Sequence, residues 1–163
     1  MNKNYVVGAV LIAIAILFVI LTGCISTDDT EEKHEIVITN TDLHGTSSLF
    51  RQNVGQSFYS GEMTYIKEIK IKTLSRGDIE NIRVFNKDTG GDVFNKVYDS
   101  FESAIGWNVF TIEKSIQKNT NYVIMIYSDN IEYRCTLYDS YPDGECYNHD
   151  NWDLLFEVHG YAS

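Results

Sequence analysis

The chain has 163 residues, 44% of them hydrophobic and 13% aromatic, with a formal net charge of −10. That is enough apolar matter for one packed domain beside a targeting segment, and it argues against wholesale disorder. The acidity sets nucleic acid aside as a partner, because such binding is dominated by contacts to phosphate.

Tyr5 to Leu21 is an unbroken apolar run with no charge in it; Lys3 precedes it, and Asp28, Asp29, Glu31 and Glu32 follow. Positive charge stays on the cytoplasmic side, so the remainder is expected to be exported. The run ends in Leu21-Thr22-Gly23-Cys24. This tetrapeptide resembles the lipobox of exported lipoproteins, where small residues admit the chain to a peptidase and the cysteine thiol becomes a lipid thioether. The resemblance implies that residues 1–23 are a signal peptide and that Cys24 carries the lipid. The length leaves a second reading open, an uncleaved transmembrane anchor. A signal peptide's apolar core is about 7–15 residues and a spanning helix about 20, and this run lies between. Either way a hydrophobic N-terminal helix ties the protein to membrane lipid, with the rest at the extracellular side. Residues 24–35, CISTDDTEEKHE, have no apolar period and read as a solvated acidic tether.

From residue 36 to 163 the apolar residues recur mainly at period two, as in Ile69-Ile71, Ile82-Val84 and Tyr122-Ile124-Ile126. The pattern predicts strands near 35–40, 56–60, 64–74, 79–86, 93–99, 107–113, 121–128, 132–138 and 153–159. Turn signals separate them at Ser75–Asp78, at Asn86–Asp92 and at Lys118–Asn121. Short strands at this spacing predict an all-β antiparallel sandwich of about eight to nine strands. Trp107, opening an alternating strand after Gly106, is expected in the core.

The order of features also resembles a family. It runs from Gln56-Ser57-Phe58 through Tyr65–Ile71, Trp107-Asn108-Val109-Phe110 and Lys118–Tyr122 to Trp152–Gly160. This is similar to choice-of-anchor type domains and related jelly-roll sandwiches of surface proteins, over roughly Gln56 to Tyr161. The resemblance implies a jelly-roll-like fold, a surface location and, by analogy, a carbohydrate-module-like function.

Cys135 and Cys146 form an even pair in an exported domain, where disulfides persist. A bridge would staple the segment between them and add about 3 kcal/mol in the chain-entropy model. The alternative is two buried thiols. Beside them, the stretch from Tyr138 to Asp153 is the most unusual in the chain. Three readings stay open for it. Tyr138, Tyr141, Tyr147 and Trp152 could offer apolar faces to a sugar beside Asp139, Asp143 and Asp150. The same carboxylates could hold Ca²⁺, although no EF-hand spacing is present. Or the loop is simply solvated, with its aromatics packed on the sandwich end. Tyr127 and Tyr133 on a sheet face are an alternative surface. No zinc-ligand spacing links the four histidines, and no phosphate loop, nucleophile elbow or H-E-x-x-H motif is present. The expectation is a membrane-tethered, non-catalytic binding module for carbohydrate or envelope polymer. A structural or protein-contact component of the envelope is the alternative, and an extracellular hydrolase a further one.

Overall fold

The computed structural model describes residues 33–41, 46–137, 141–147 and 152–163. The apolar N-terminal run, Cys24, Tyr138, Asp139 and Asp150 lie outside them. Among the described residues no helix is long and apolar enough to cross a membrane. The unit in view, Glu32–Ser163, is all-β. Its strands are β1 (His34–Asn40), β2 (Thr46–Tyr59), β3 (Tyr65–Thr73), β4 (Asp78–Asn86), β5 (Asp92–Val97), β6 (Gly106–Ser115), β7 (Asn121–Thr136), β8 (Asp153–Leu154) and β9 (Phe156–Ala162).

Every pairing is antiparallel. β1, β9, β3 and β6 run side by side, and so do β5, β4, β7 and β2. The two groups meet where Thr73 of β3 pairs with Tyr133 of β7. The result is a β-sandwich, its alternate side chains turned to a shared interior. β3 sends Ile66, Ile69 and Ile71 inward, β4 sends Ile79, Ile82 and Val84, and β7 sends Tyr122, Ile124 and Ile126. Phe58 stacks on Tyr122 with centroids 5.8 Å apart. Each such buried side chain contributes about 1.5–3 kcal/mol.

Three expectations change in detail. β2 begins ten residues before the predicted start at position 56, because its polar N-terminal half pairs with the C-terminal half of β7. Residues 121–136 are one strand, although Asp129-Asn130 read as a break. Asn130 takes φ 53°, and the ladder shifts between Arg51 and Asn53 opposite it, so a bulge absorbs the turn residues. The last predicted strand is split into β8 and β9 at Leu155.

Trp107 is not in the core. It is 36% exposed on the outer face, with the Lys72 ammonium 5.4 Å from its ring centroid. The inward set of β6 is Asn108, Phe110 and Ile112. Asn108 holds the inward slot because its side chain caps the preceding turn. Its Oδ1 accepts from Ala104 N at 2.8 Å, and its Nδ2 donates to Thr73 Oγ1 and Ala104 O at 2.9 Å. A one-residue shift in register turns every side chain to the other face.

Candidate binding cleft

The Asn86–Asp92 hairpin forms as its residues predict. Asn86 Oδ1 accepts from the backbone N–H groups of Asp88 and Thr89 at 2.9 and 3.0 Å, and Lys87 N donates to Asn121 O at 2.9 Å. This puts the Lys87 side chain beside the start of β7. Across from it, Tyr141-Pro142-Asp143-Gly144 makes a turn closed by Gly144 N donating to Tyr141 O at 3.1 Å. The chain then runs along β2. Ser57 N donates to Glu145 O at 2.9 Å, Glu145 N to Ser57 Oγ at 2.8 Å, and Tyr147 N to Gly55 O at 2.8 Å. Gly144 lies so close to the Ser57 carbonyl that any Cβ would overlap it.

A buried polar clamp fixes the base of this segment. The Asp153 carboxylate is 1% exposed. Its Oδ1 accepts from Gln56 Nε2 at 3.0 Å and its Oδ2 from Tyr141 N at 3.0 Å. Gln56 Oε1 in turn accepts from Leu154 N at 2.8 Å. Buried charge is tolerated where such hydrogen bonds meet it.

Between these parts lies a cleft of about 660 Å³. Tyr59 and Trp152 line it, with Ser57, Asn121, Asp143 and Glu145 among its polar groups. Lys87 Nζ pairs with Glu145 Oε1 at 2.6 Å across the cleft's lining. The Tyr59 hydroxyl donates to Asn119 Oδ1 at 3.0 Å, which steadies an otherwise exposed ring.

The predicted site residues divide. Asp143 and Trp152 line the cleft. Tyr147 is 49% exposed, beside Gly55 on the outer face of β2. Tyr141 belongs to the core: its ring meets Phe156 edge-on at 5.2 Å, and its hydroxyl accepts from Tyr59 N at 3.4 Å. Burial pushes its phenol up to about 12. It therefore supports the cleft from beneath and offers no face to a ligand. Tyr127 is half-buried on the outer face of β7, whereas Tyr133 is fully buried and donates to Ser128 Oγ at 2.7 Å. Burial pushes the Tyr133 phenol up to about 12 as well. Tyr138, Asp139 and Asp150 lie outside the described residues.

The expected disulfide is corrected. No bridge joins Cys135 and Cys146; both sulfur atoms are buried in the core. Burial pushes the Cys135 thiol up to about 11. The Gln56–Asp153 clamp, and not a covalent bond, pins the segment. Among the described residues no group of three or more His, Cys, Asp and Glu side chains is placed to hold a metal ion. Ser57, Tyr59, Lys87 and Asn121 were missed as cleft residues. They come from separate strands and turns: Ser57, Lys87 and Asn121 were noted only as part of a strand start and two turns, with nothing local to join them.

No protein-family model matches the chain, and no curated protein matches it. Among solved structures it is similar to a clostridial cysteine protease after propeptide cleavage, at 9% identity and a TM-score of 0.53. The match covers 79% of this chain and 40% of the protease, so this chain spans well under half of that protein's length. A structure of infectious bursal disease virus also matches, at 10% identity and a TM-score of 0.30, over 80% of this chain and 31% of the viral one. At such identity the protease match speaks to fold alone, and the viral match is too loose to bear on it.

Proposed function

We propose that this chain is a membrane-tethered, non-catalytic binding module of the cell surface, and that the cleft between the Asn86–Asp92 hairpin and the Tyr141–Tyr147 segment takes its ligand. The carrying observation is the cleft's lining. Two aromatic side chains, Tyr59 and Trp152, stand beside hydroxyl, amide and carboxylate groups on a rigid double-layered frame. Sites of that make-up fix a ligand's orientation through a few polar groups while apolar faces supply contact. Carbohydrate or another polyhydroxylated envelope polymer fits this chemistry. The jelly-roll-like reading of the sandwich and the resemblance to choice-of-anchor type domains point the same way. The lipobox at Cys24 supplies the tether, with a transmembrane helix as the other form of anchor.

Binding without catalysis is favoured by how two of the cleft's three carboxylates, Asp143 being the third, are used. Asp153 is engaged by Gln56 and Tyr141, and Glu145 is paired with Lys87. Hydrolysis of a glycosidic bond calls for two carboxyl groups facing one another across the scissile bond. One observation favours a second reading, a structural or protein-contact component. Ile105, Trp107 and Val109 form an exposed apolar strip along β6, which pairs with β3 on one side.

The test is a binding screen of the full-length protein in detergent micelles against glycans and cell-envelope extract. Tyr59→Ala and Trp152→Ala should each weaken binding about tenfold, roughly 1.4 kcal/mol, with the thermal transition checked separately. Unchanged affinity in both variants would move the site away from the cleft.

A further inference from the structure

The cleft opens onto the outer face of the β2-β7-β4-β5 layer, and that face has a second cavity. From Asn121 to Tyr127 of β7 the alternation holds, so side chains two positions apart share the face, while a bulge in β5 opposite Val84 and Phe85 brings Asp92 and Asn95, three positions apart, to the same side. On β7 these are Asn121, Val123, Met125 and Tyr127; the intervening Tyr122, Ile124 and Ile126 belong to the core. The strand register sets their neighbours. Tyr59, Asn121 and Lys87 form the row at the cleft. Two residues further along, Ser57, Val123 and Phe85 follow. Then come Tyr147, Gly55, Met125, Arg83 and Asn95. The last row is Asn53, Tyr127, Asn81 and Val97. A cavity of about 450 Å³ occupies this far end, lined by Tyr127, Asn81, Asn95, Arg83 and Asp92 among others. Six residues of extended chain separate Asn121 from Tyr127, which is about 20 Å.

Polar groups mark both ends of the band, and between them Ser57, Val123 and Met125 are buried, 5%, 2% and 7% exposed. Each cation on it is held by an anion: Arg83 Nε by Asp92 Oδ1, and Lys87 by Glu145. The Arg83 guanidinium also lies 4.5 Å over the Phe85 ring, which flattens it onto the sheet. Asn81 Nδ2 donates to Asn95 Oδ1 at 2.8 Å. An amide has both an acceptor and two donors, so the pair still presents an Asn81 oxygen and Asn95 N–H groups outward. Tyr127 and Tyr147 supply ring surface, and Tyr147 and Met125 close over Gly55, within 2.9 and 3.1 Å of where its Cβ would stand. With its cations matched and the chain at −10, the face does not suit a polyanion.

We infer that the two cavities are the ends of one binding band, and that its ligand is an extended neutral glycan chain lying along the strands from Tyr59 and Trp152 to Tyr127, Asn81 and Asn95. The inference rests on the cleft reading above and extends it: a short sugar is accommodated by the cleft, and a longer oligomer is needed to reach the far end. Amide pairs and neutralised charge pairs offer donors and acceptors to hydroxyl groups without demanding charge from the ligand, and the tyrosines offer faces to sugar rings.

The experiment is calorimetric titration of the full-length protein in detergent micelles with gluco-, xylo- and N-acetylglucosamine oligomers of increasing length. At least one series should bind, with affinity rising at least tenfold from the monosaccharide to the hexamer. Tyr127→Ala and the exposed Asn95→Ala should each cost about tenfold with the hexamer and under twofold with the monosaccharide, with unchanged thermal transitions. Tyr59→Ala should weaken both lengths. Length-independent binding that responds only to Tyr59→Ala overturns the band and leaves the cleft reading standing. Silence of all three neutral series, with envelope extract still bound in a Tyr59-dependent way, overturns the neutral-glycan assignment alone. Silence of both the oligomers and the extract overturns the inference and the cleft reading together.

Discussion

The side chains of Gln56 and Asp153, 97 positions apart in sequence, are hydrogen-bonded at 3.0 Å in the protein interior. Gln56 is fully buried and joins β2 to the start of β8 by donating to the carboxylate and accepting from Leu154 N. The cleft segment hangs from this contact, since Asp153 also accepts from Tyr141 N at the head of the turn. Gln56→Ala removes a donor from a buried carboxylate and an acceptor from a buried N–H. The expected cost is about 2 kcal/mol, because the buried Leu154 N–H loses its acceptor and the Asp153 carboxylate loses one of its donors. Urea unfolding measures it. Gln117→Ala, at an exposed position, should stay within about 0.5 kcal/mol as the control. A loss at Gln56 no larger than at Gln117 would show that the clamp adds nothing.

Gly144 is needed for close approach. An added Cβ meets the Ser57 carbonyl and comes within 2.7 Å of the Tyr141 ring. Backbone cannot give as a flexible side chain can, so the turn must lift away from β2. Gly144→Ala should destabilise by about 2 kcal/mol and loosen the cleft. Amide hydrogen exchange at Ser57 and Tyr147, whose N–H groups bond across this junction, should rise along with the loss of stability.

The two buried phenols set a high-pH limit. Tyr133 and Tyr141 both have pKa values raised from 10.0 to about 12, with burial as the leading cause. A group raised in the folded state contributes stability that is fully present below its unfolded value. That stability is lost as pH rises through the folded value. Unfolding free energy should therefore fall between about pH 10 and 12. Phenolate absorbance should include a late component near pH 12, and each of Tyr133→Phe and Tyr141→Phe should reduce it. A late component left unchanged by both substitutions would contradict the burial.

Much of this fold was legible from period-two patterning, because strands that face a core on one side must alternate. Ile69-Ile71 and Ile82-Val84 announced β3 and β4 within one or two residues. The failures have physical causes. Thr46 to Gly55 is polar, and it is a strand because β7 is long enough to pair with it. Trp107 was placed in the core because it opens an alternating strand after Gly106, whereas the turn-capping amide of Asn108 decided the register. The unusual Tyr138–Asp153 stretch did mark the cleft, through Asp143, Glu145 and Trp152. Its partners Tyr59, Lys87 and Asn121 are ordinary strand and hairpin residues, and only strand pairing brings them together. The segment was expected to be held by a Cys135–Cys146 bridge. A hydrogen bond between side chains 97 positions apart leaves no such local sign.

Glu113 carries local backbone strain that a single substitution can relieve. It has φ 52°, in the left-handed region, at the point where the β3–β6 ladder slips between Ile66 and Glu68. Two residues of β6, Ile112 and Glu113, there oppose Lys67 alone, which makes a bulge. Left-handed backbone costs a residue with a Cβ about 1–2 kcal/mol, and glycine little. Asn119 and Asn130, the other non-glycine residues of positive φ among those described, are of a type that tolerates it better. The Glu113 side chain is exposed, so replacing it sacrifices no core packing. Against the relief stands the extra freedom glycine gives the unfolded chain, under 1 kcal/mol. Glu113→Gly should thus stabilise the domain by about 0.5–1 kcal/mol and raise Tm by a few degrees. Glu113→Ala keeps the Cβ and should show no such gain. The comparison isolates the backbone: a gain in both variants would point to charge, since each removes a carboxylate from an acidic chain. Gain in glycine alone would establish the bulge as the seat of the strain.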